Sequence, residues 1–298
     1  MINTLKKIGS IALLGLSILS AGCTNNQQDS LFESAINLAR ENAGFVVKKA
    51  PANDVVLTYM ERKSKANLSE EVENIVLVHG FTANKDNWIK FSAALDEKYN
   101  VIAVDLAGHG DSEKLLTTNY DLIKQAERLN ALLSGLGIDS FHIAGNSMGG
   151  AISAIYTLMY PNKVKSLNLI DAAGIDGDTP SEYFNMLADG SNPLIASDEE
   201  SFDFRMGFTM SKPLFLPWPL RSALMRKTLA REEINTKIFI DMLATKKQLA
   251  ATSFEEQISE TMTKHSIPTL IMWGEEDRIL HVSAAAAFKN LIPPAHVH

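Results

Sequence analysis

One cysteine, Cys23, stands in the 298 residues, so no intramolecular disulfide is available to hold the fold. Basic excess is missing too. Lys and Arg total 28 against 35 Asp and Glu, a formal charge of −7, and no basic patch or stripe of the kind that binds nucleic acid is present. The longest apolar stretch, Ile8–Leu19, is too short and wrongly flanked to span a bilayer. Repeats and low-complexity tracts are absent. So are a His/Cys cluster at metal-ligand spacing and a glycine-rich dinucleotide fingerprint, and therefore no cofactor and no metal is expected. What remains is a composition typical of globular proteins, 46% hydrophobic and 21% charged, in a length that suits one large α/β domain or a domain with an insertion.

The most informative stretch is Phe141-His142-Ile143-Ala144-Gly145-Asn146-Ser147-Met148-Gly149-Gly150. An apolar run suited to a buried strand meets Gly-x-Ser-x-Gly, and a helical pattern opens at Ala151. A serine on such a sharp strand-to-helix turn points its hydroxyl out of the sheet, and the flanking glycines leave room for the turn. This predicts Ser147 as a nucleophile. The same turn places the Met148 N–H at a helix N-terminus, where it can donate to a developing oxyanion.

Strand-like runs at Val55–Met60, Ile75–Val78, Val101–Val104, Phe141–Ala144, Leu167–Ile170 and Thr269–Trp273 alternate with helical patterns. Continuous apolar strands of this kind predict a mainly parallel sheet covered on both faces. The alternation lapses between about Ala172 and Ser266, which predicts a helical cap inserted before the sheet resumes. The expected divisions are a leader at 1–22, a tether and N-terminal helix at 23–44, the first part of the core at 45–171, the cap at 172–266 and the second part of the core at 267–298. Thr24–Asp29 reads as a polar tether, and Ser30-Leu31-Phe32-Glu33 as a capping box opening a short helix that Gly44 closes.

His79-Gly80-Phe81 follows the Ile75–Val78 run, which places the Phe81 N–H as a second oxyanion donor, opposite Met148. Asp105 opens a glycine-rich turn, Asp105–Ser112, and reads as a loop-fixing residue. Trp273-Gly274-Glu275-Glu276-Asp277-Arg278 follows the last complete strand. An acid there comes after the serine in chain order, so Asp277 is the expected partner of a catalytic histidine, with Asp171 the alternative. In the cap, Phe202, Phe204, Met206, Phe208, Met210, Leu214, Phe215, Leu216, Trp218, Leu220 and Met225 either line an acyl-chain pocket or form the cap's own core.

These stretches resemble the α/β-hydrolase superfamily. The likeness is nearest to the bacterial lipases with a lipoprotein-type leader, through Val78-His79-Gly80-Phe81, Gly145–Gly150, Ser191-Asn192-Pro193-Leu194 and Ile267-Pro268-Thr269-Leu270 up to Asp277. The serine elbow also resembles that of carbon–carbon bond hydrolases, which are cytosolic. Lys6, Lys7, the Ile8–Leu19 run and Ser20-Ala21-Gly22-Cys23 resemble a lipobox leader, with Ser20 where that family usually has Leu. That resemblance implies removal of 1–22, lipidation of Cys23 and attachment of an exported protein to a bacterial membrane; an ordinary secretory signal is the alternative. Thr24 rather than Asp after the cysteine would imply outer-membrane sorting. Loss of Lys6 and Lys7 takes the charge two units further negative.

The resemblance implies a Gly-His pair after one more strand, and no histidine here stands where it should. The base belongs about 25–30 residues past the acid, whereas His298 lies 21 past Asp277. His79, His109, His142, His265, His281 and His296 each have a structural reading. A serine hydrolase without its histidine keeps only ~10³–10⁴-fold acceleration over water. Ser283–Leu291 reads as a helix that Pro293-Pro294 ends, and Ala295–His298 as the beginning of the final strand. The expectation is a C-terminally incomplete copy of a longer enzyme, the final strand and helix that finish the core missing and the edge at Thr269–Trp273 exposed, with a natural inactive truncation as the rival. The activity implied is lipid-ester hydrolysis through an acyl-Ser147 intermediate; the reading from another class is a binding lipoprotein.

Overall fold

The computed structural model describes residues 23–65, 72–212 and 215–298. The leader with Lys6, Lys7 and Ile8–Leu19, and Leu214 of the cap, lie outside the described residues. The first element, α1 (Asn25–Asn42), starts earlier than expected. Thr24 caps it: its hydroxyl accepts the Gln27 N–H, and the Gln27 side chain returns to the Thr24 N–H. The predicted tether is therefore helical. This earlier start places Gln28 and Asp29 where Arg226 of the cap donates to both. Gly44, at φ +78°, lets the chain turn away after Asn42.

Strands β1 (Val46–Ala52), β2 (Val55–Arg62), β3 (Asn74–Val78) and β4 (Asn100–Val104) precede α2 (Leu122–Gly135). Then come β5 (Phe141–Asn146), α3 (Met148–Met159) and β6 (Val164–Ile170). The cap follows as α4 (Glu182–Ala188), α5 (Glu199–Phe208), α6 (Leu220–Leu229), α7 (Glu232–Ala250) and α8 (Phe254–His265). The chain finishes with β7 (Thr269–Met272), α9 (Ser283–Leu291) and β8 (His296–Val297). The sheet order is β1-β2-β4-β3-β5-β6-β7-β8, antiparallel through β2 and parallel from β4 onward.

Both faces of the sheet are covered, which is why its middle strands are apolar without alternation. On one face Leu129, Leu133, Ile152 and Ile155 of α2 and α3 pack over Val76, Val78 and Ile143. On the other, Leu77, Val101 and Ala103 meet Phe45, Met60 and Trp88. Two strands differ from the sequence reading. The edge strand β1 carries Lys48, Lys49 and Pro51, a composition that protects an edge and hides it from an apolar-run search. The strand start expected at Ala295–His298 forms β8, and it is enough to pair the edge of β7 that was expected to be exposed: Leu270 meets His296 and Ile271 meets Val297.

A buried ionic cluster pins the loop after β3. The Lys85 ammonium, fully buried, donates to Asp105 (2.8 Å) and Asp111 (2.6 Å), while Asp105 also accepts the Lys85 and Asp111 backbone N–H groups. Burial alone would pull Lys85 down, but these carboxylates outweigh it and hold the ammonium above the usual lysine range. Asp105 thus does the loop-fixing work expected of it. Next to Lys85, Asp86 takes a two-point bond from Arg40 of α1, at 2.7 and 2.6 Å.

Candidate active site

Ser147 sits between β5 and α3 at φ 53°, ψ −121°, a strained conformation for a residue with a side chain. It persists because the surroundings over-determine it. Ser147 N–H donates to the Ile170 carbonyl, and the Ser147 carbonyl accepts from Gly150 and Ala173. Clearance is nil on both sides: a Cβ on Gly145 would collide with the Gly149 carbonyl, and one on Gly149 with the Val78 carbonyl. The Ser147 hydroxyl caps nothing and faces a cavity of about 460 Å³.

The loop after β3 comes close to this serine, and a Cβ on Gly80 would stand 3.1 Å from the Ser147 Cβ. Phe81 and Met148 line the same cavity as Ser147. Among the described residues neither amide N–H donates to any group, so both remain available to an oxygen at the serine. His79 holds the loop from behind. Its Nε2 accepts the Leu106 N–H at 3.1 Å and its Nδ1 donates to the Gly80 carbonyl at 2.8 Å. Burial lowers its pKa to about 4, so the ring is neutral.

Asp277 does not line the cavity. Its Oδ1 accepts the N–H groups of Ile279 (2.7 Å) and Leu280 (3.0 Å), which lead into the wall, since both of those residues line it. Asp171, at φ +43°, accepts the Gly274 N–H at 2.7 Å and so braces the turn on which Asp277 stands. Burial pushes both carboxyls above the usual range, and for Asp277 the nearby Asp171 charge adds to it.

No histidine is among the described residues that line the cavity. His281 opens onto an adjoining recess of about 200 Å³ that shares Asp176, Phe184 and Leu280 with the cavity wall, its Nδ1 bonded to Ser283. His298 is held by its backbone, donating to the Ile271 carbonyl and accepting from Trp273 N–H. His142 is only half-buried; its Nδ1 meets the Ser166 hydroxyl and its Nε2 lies 3.5 Å from Glu73. Nor is any group of three or more His, Cys, Asp or Glu among the described residues placed to hold a metal ion.

A family profile described as the alpha/beta hydrolase fold matches residues 73–298. The chain belongs to the α/β-hydrolase fold family. Lipase 3 of Moraxella sp. (strain TA144) is 32% identical to it over 298 residues, 98% of this chain and 90% of that protein. Lipase 1 of Psychrobacter immobilis is also 32% identical, over 98% of this chain and 89% of its own length. The crystal structure of a membrane phospholipase A, described as a bacterial virulence factor, superposes with a TM-score of 0.81 at 32% identity, covering 100% of this chain and 90% of that one.

In this α/β-hydrolase the cavity is roofed by residues that the sequence reading passed over. Phe239, Met242, Leu243 and Leu249 come from α7, and Tyr183 and Leu187 from α4. The α7 set falls on one face of the helix, an apolar stripe that the sequence displays without saying what it covers. None of the aromatic and methionine residues singled out between Phe202 and Trp218 lines the cavity. Phe202 and Phe208 are buried, Phe208 within the main core cluster, while Phe204, Phe215 and Trp218 are exposed. At the cavity wall the Lys246 ammonium pairs with Asp176 at 2.6 Å.

Proposed function

We propose that this chain is a serine-dependent carboxylic-ester hydrolase of lipase type. The observation that carries the reading is the strained Ser147, its hydroxyl unbonded, facing an apolar cavity beside two amide N–H groups without acceptors. Ser147 Oγ attacks the ester carbonyl, and the oxygen that becomes negative is received by the Phe81 and Met148 N–H groups, each contributing ~3 kcal/mol to the transition state. A general base, the histidine that the family resemblance implies, takes the Ser147 proton during attack and gives it to the departing alcohol. It then takes a proton from the water that attacks the acyl-Ser147 carbonyl and returns it to Oγ as the acid departs. Asp277 is the acid assigned to orient and stabilise the general base. The names of the two 32%-identical lipases support a lipid ester as substrate, as does the apolar wall formed by α4 and α7.

The experiment is hydrolysis of glyceryl tributyrate and glyceryl trioleate by the wild type and by Ser147→Ala. Hydrolysis of both, reduced to the uncatalysed rate in the variant, supports the lipase. A strict preference for tributyrate narrows the reading to an esterase. A second reading, a lipoprotein that binds esters without cleaving them, is favoured by the lack of histidine along the described cavity wall. Binding of both esters by the wild type with no hydrolysis above background would establish it.

We further propose that Cys23 is lipidated and anchors an exported protein to a bacterial membrane, on the outer-membrane or periplasmic side. Cys23 is a free, partly exposed cysteine immediately before α1, which supports its availability. Radiolabelled palmitate incorporated by the wild type but not by Cys23→Ser, with release of the variant into the soluble fraction, is the expected result.

A further inference from the structure

Two arginines of the cap stand beside the serine loop with no carboxylate to neutralise them. Arg205 on α5 reaches down to the residue after Phe81: its Nη2 donates to the Thr82 hydroxyl at 3.0 Å and to the Thr82 carbonyl at 3.4 Å. Its Nε is buried and has no partner. Arg231, immediately before α7, donates from Nη2 to the Gly108 carbonyl at 2.6 Å and to Asn235 Oδ1 at 3.4 Å. Among the described residues neither guanidinium has an ion-pair partner, whereas Arg40, Arg128, Arg221, Arg226 and Arg278 all do.

Arg62, at the end of β2, also lacks one, its guanidinium donating to the Ser92 and Asp96 carbonyls; Arg205 and Arg231 are the two that stand by the serine loop, both half-buried. Burial holds both below the usual arginine range, and the Arg231 charge depresses Arg205 further. Asp105 and Asp111 act on Arg231 from a distance, but their oxygens bond Lys85. Burying an uncompensated cation is unfavourable, and a guanidinium offers five N–H donors of which these two use few.

Their position points to the ligand. Thr82 is one residue, ~3.8 Å along the Cα trace, from Phe81. Gly108 precedes His109, whose ring meets the Phe81 ring edge-on at 6.4 Å. Both arginines therefore touch the segments that hold the Phe81 amide, yet neither lines the apolar cavity. A lipid whose ester carbonyl sits at Phe81 and Met148 and whose acyl chain fills the cavity would carry its headgroup within reach of them. A neutral glycerol ester leaves both guanidinia unpaired. A phosphodiester supplies the missing negative charge and oxygens that match the guanidinium fork.

We propose that Arg205 and Arg231 form a site for a phosphate group beside the Thr82 turn, and that the group is the headgroup phosphate of a glycerophospholipid bound through its acyl chain in the cavity. This rests on the lipid-ester reading of Ser147 and narrows its substrate class.

The test is calorimetric titration of dihexanoylphosphatidylcholine and of dihexanoylglycerol, both as monomers, into the Ser147→Ala protein, which removes turnover. Adding Arg205→Gln or Arg231→Gln should weaken the phospholipid about tenfold or more and leave dihexanoylglycerol within about twofold; Arg205→Lys, which keeps the charge, should recover part of the loss. Equal weakening of both lipids, or of neither, overturns the site while leaving the ester reading standing. Failure of both lipids to bind the unsubstituted cavity overturns the ester reading and the site with it. Should the arginine variants fail to fold, sn-glycerol 3-phosphate and inorganic phosphate, each titrated as competitors on the unsubstituted protein, decide the matter. Competition by glycerol 3-phosphate is expected, and no competition by either overturns the site. Inorganic phosphate binding as tightly as the phospholipid overturns the headgroup assignment in favour of a free anion.

Discussion

The sheet end that carries Ser147 and the cap above it are held by different physics. At the sheet, backbone stands against backbone: Gly145, Gly149 and Gly80 each lie where a side chain would meet another residue, and the Lys85–Asp105 pair is sealed from water. In the cap, polar ties such as Arg226–Asp29 and Arg221–Asp203 are open to solvent, and large apolar side chains at Phe204, Phe215 and Trp218 are exposed. The part that would bind an oxyanion permits almost no displacement. The part that would select the lipid is built from replaceable side chains on helices.

The largest effect expected from that contrast is at Gly149. Gly149→Ala drives a methyl into the Val78 carbonyl and should destabilise by at least about 3 kcal/mol, visible in urea unfolding and in loss of soluble protein. A variant that melts with the wild type would break the claim that backbone clearance governs the elbow. Next is the acid response of the same region. Folded His79 titrates at about 4, below its ordinary value of about 6.5, so the unfolded chain binds more protons between those values. Its stabilisation is therefore complete above pH 6.5 and is lost as pH falls toward 4, by up to about 3 kcal/mol. The raised carboxyls of Asp171 and Asp277 act in the opposite sense in acid. Unfolding free energies at pH 7 and pH 4.5 should show a shallower decline in His79→Asn than in the wild type.

Cap substitutions should move specificity before stability. Phe239, half-buried in the cavity roof and 6.0 Å from the Phe81 ring, should tolerate change to Ala with a loss of about 2 kcal/mol or less. The relative affinity for long and short acyl glycerols, measured in the Ser147→Ala background, should shift toward the bulkier chain. An unchanged preference would mean that α7 does not shape the acyl site. Smallest of all is Arg226→Ala. Its pairing with Asp29 is partly open to water, so global stability should change by less than about 1 kcal/mol. Hydrogen exchange should quicken across α1 and stay the same in β5.

Legibility followed the same divide. The elbow was readable because Gly145-Asn146-Ser147-Met148-Gly149 carries its geometry in a few adjacent residues, and Phe81 followed from one short turn after an apolar strand. The place of the cap was readable as a break in strand–helix alternation. Its lining was not: the eye went to the aromatic density at Phe202–Trp218, while the cavity took the sparser stripe Phe239, Met242, Leu243 and Leu249. The start of α1 was misplaced because Thr24-x-x-Gln27 and Ser30-x-x-Glu33 can each cap a helix, and contacts to Arg226 from a residue nearly 200 positions away sit on the longer one.

Local sequence by itself determined the strained serine turn, the apolar strands of the parallel sheet and the loop-fixing role of Asp105, since each depends on clearance, burial or hydrogen bonds within a few residues or one strand pair. Tertiary structure alone decided which cap helix roofs the serine, that Asp171 braces the turn bearing Asp277, and that Arg205 and Arg231 end beside Thr82 and Gly108 without a counter-charge. Those outcomes turn on which distant surfaces meet when the cap folds down, and no spacing along the chain encodes that meeting.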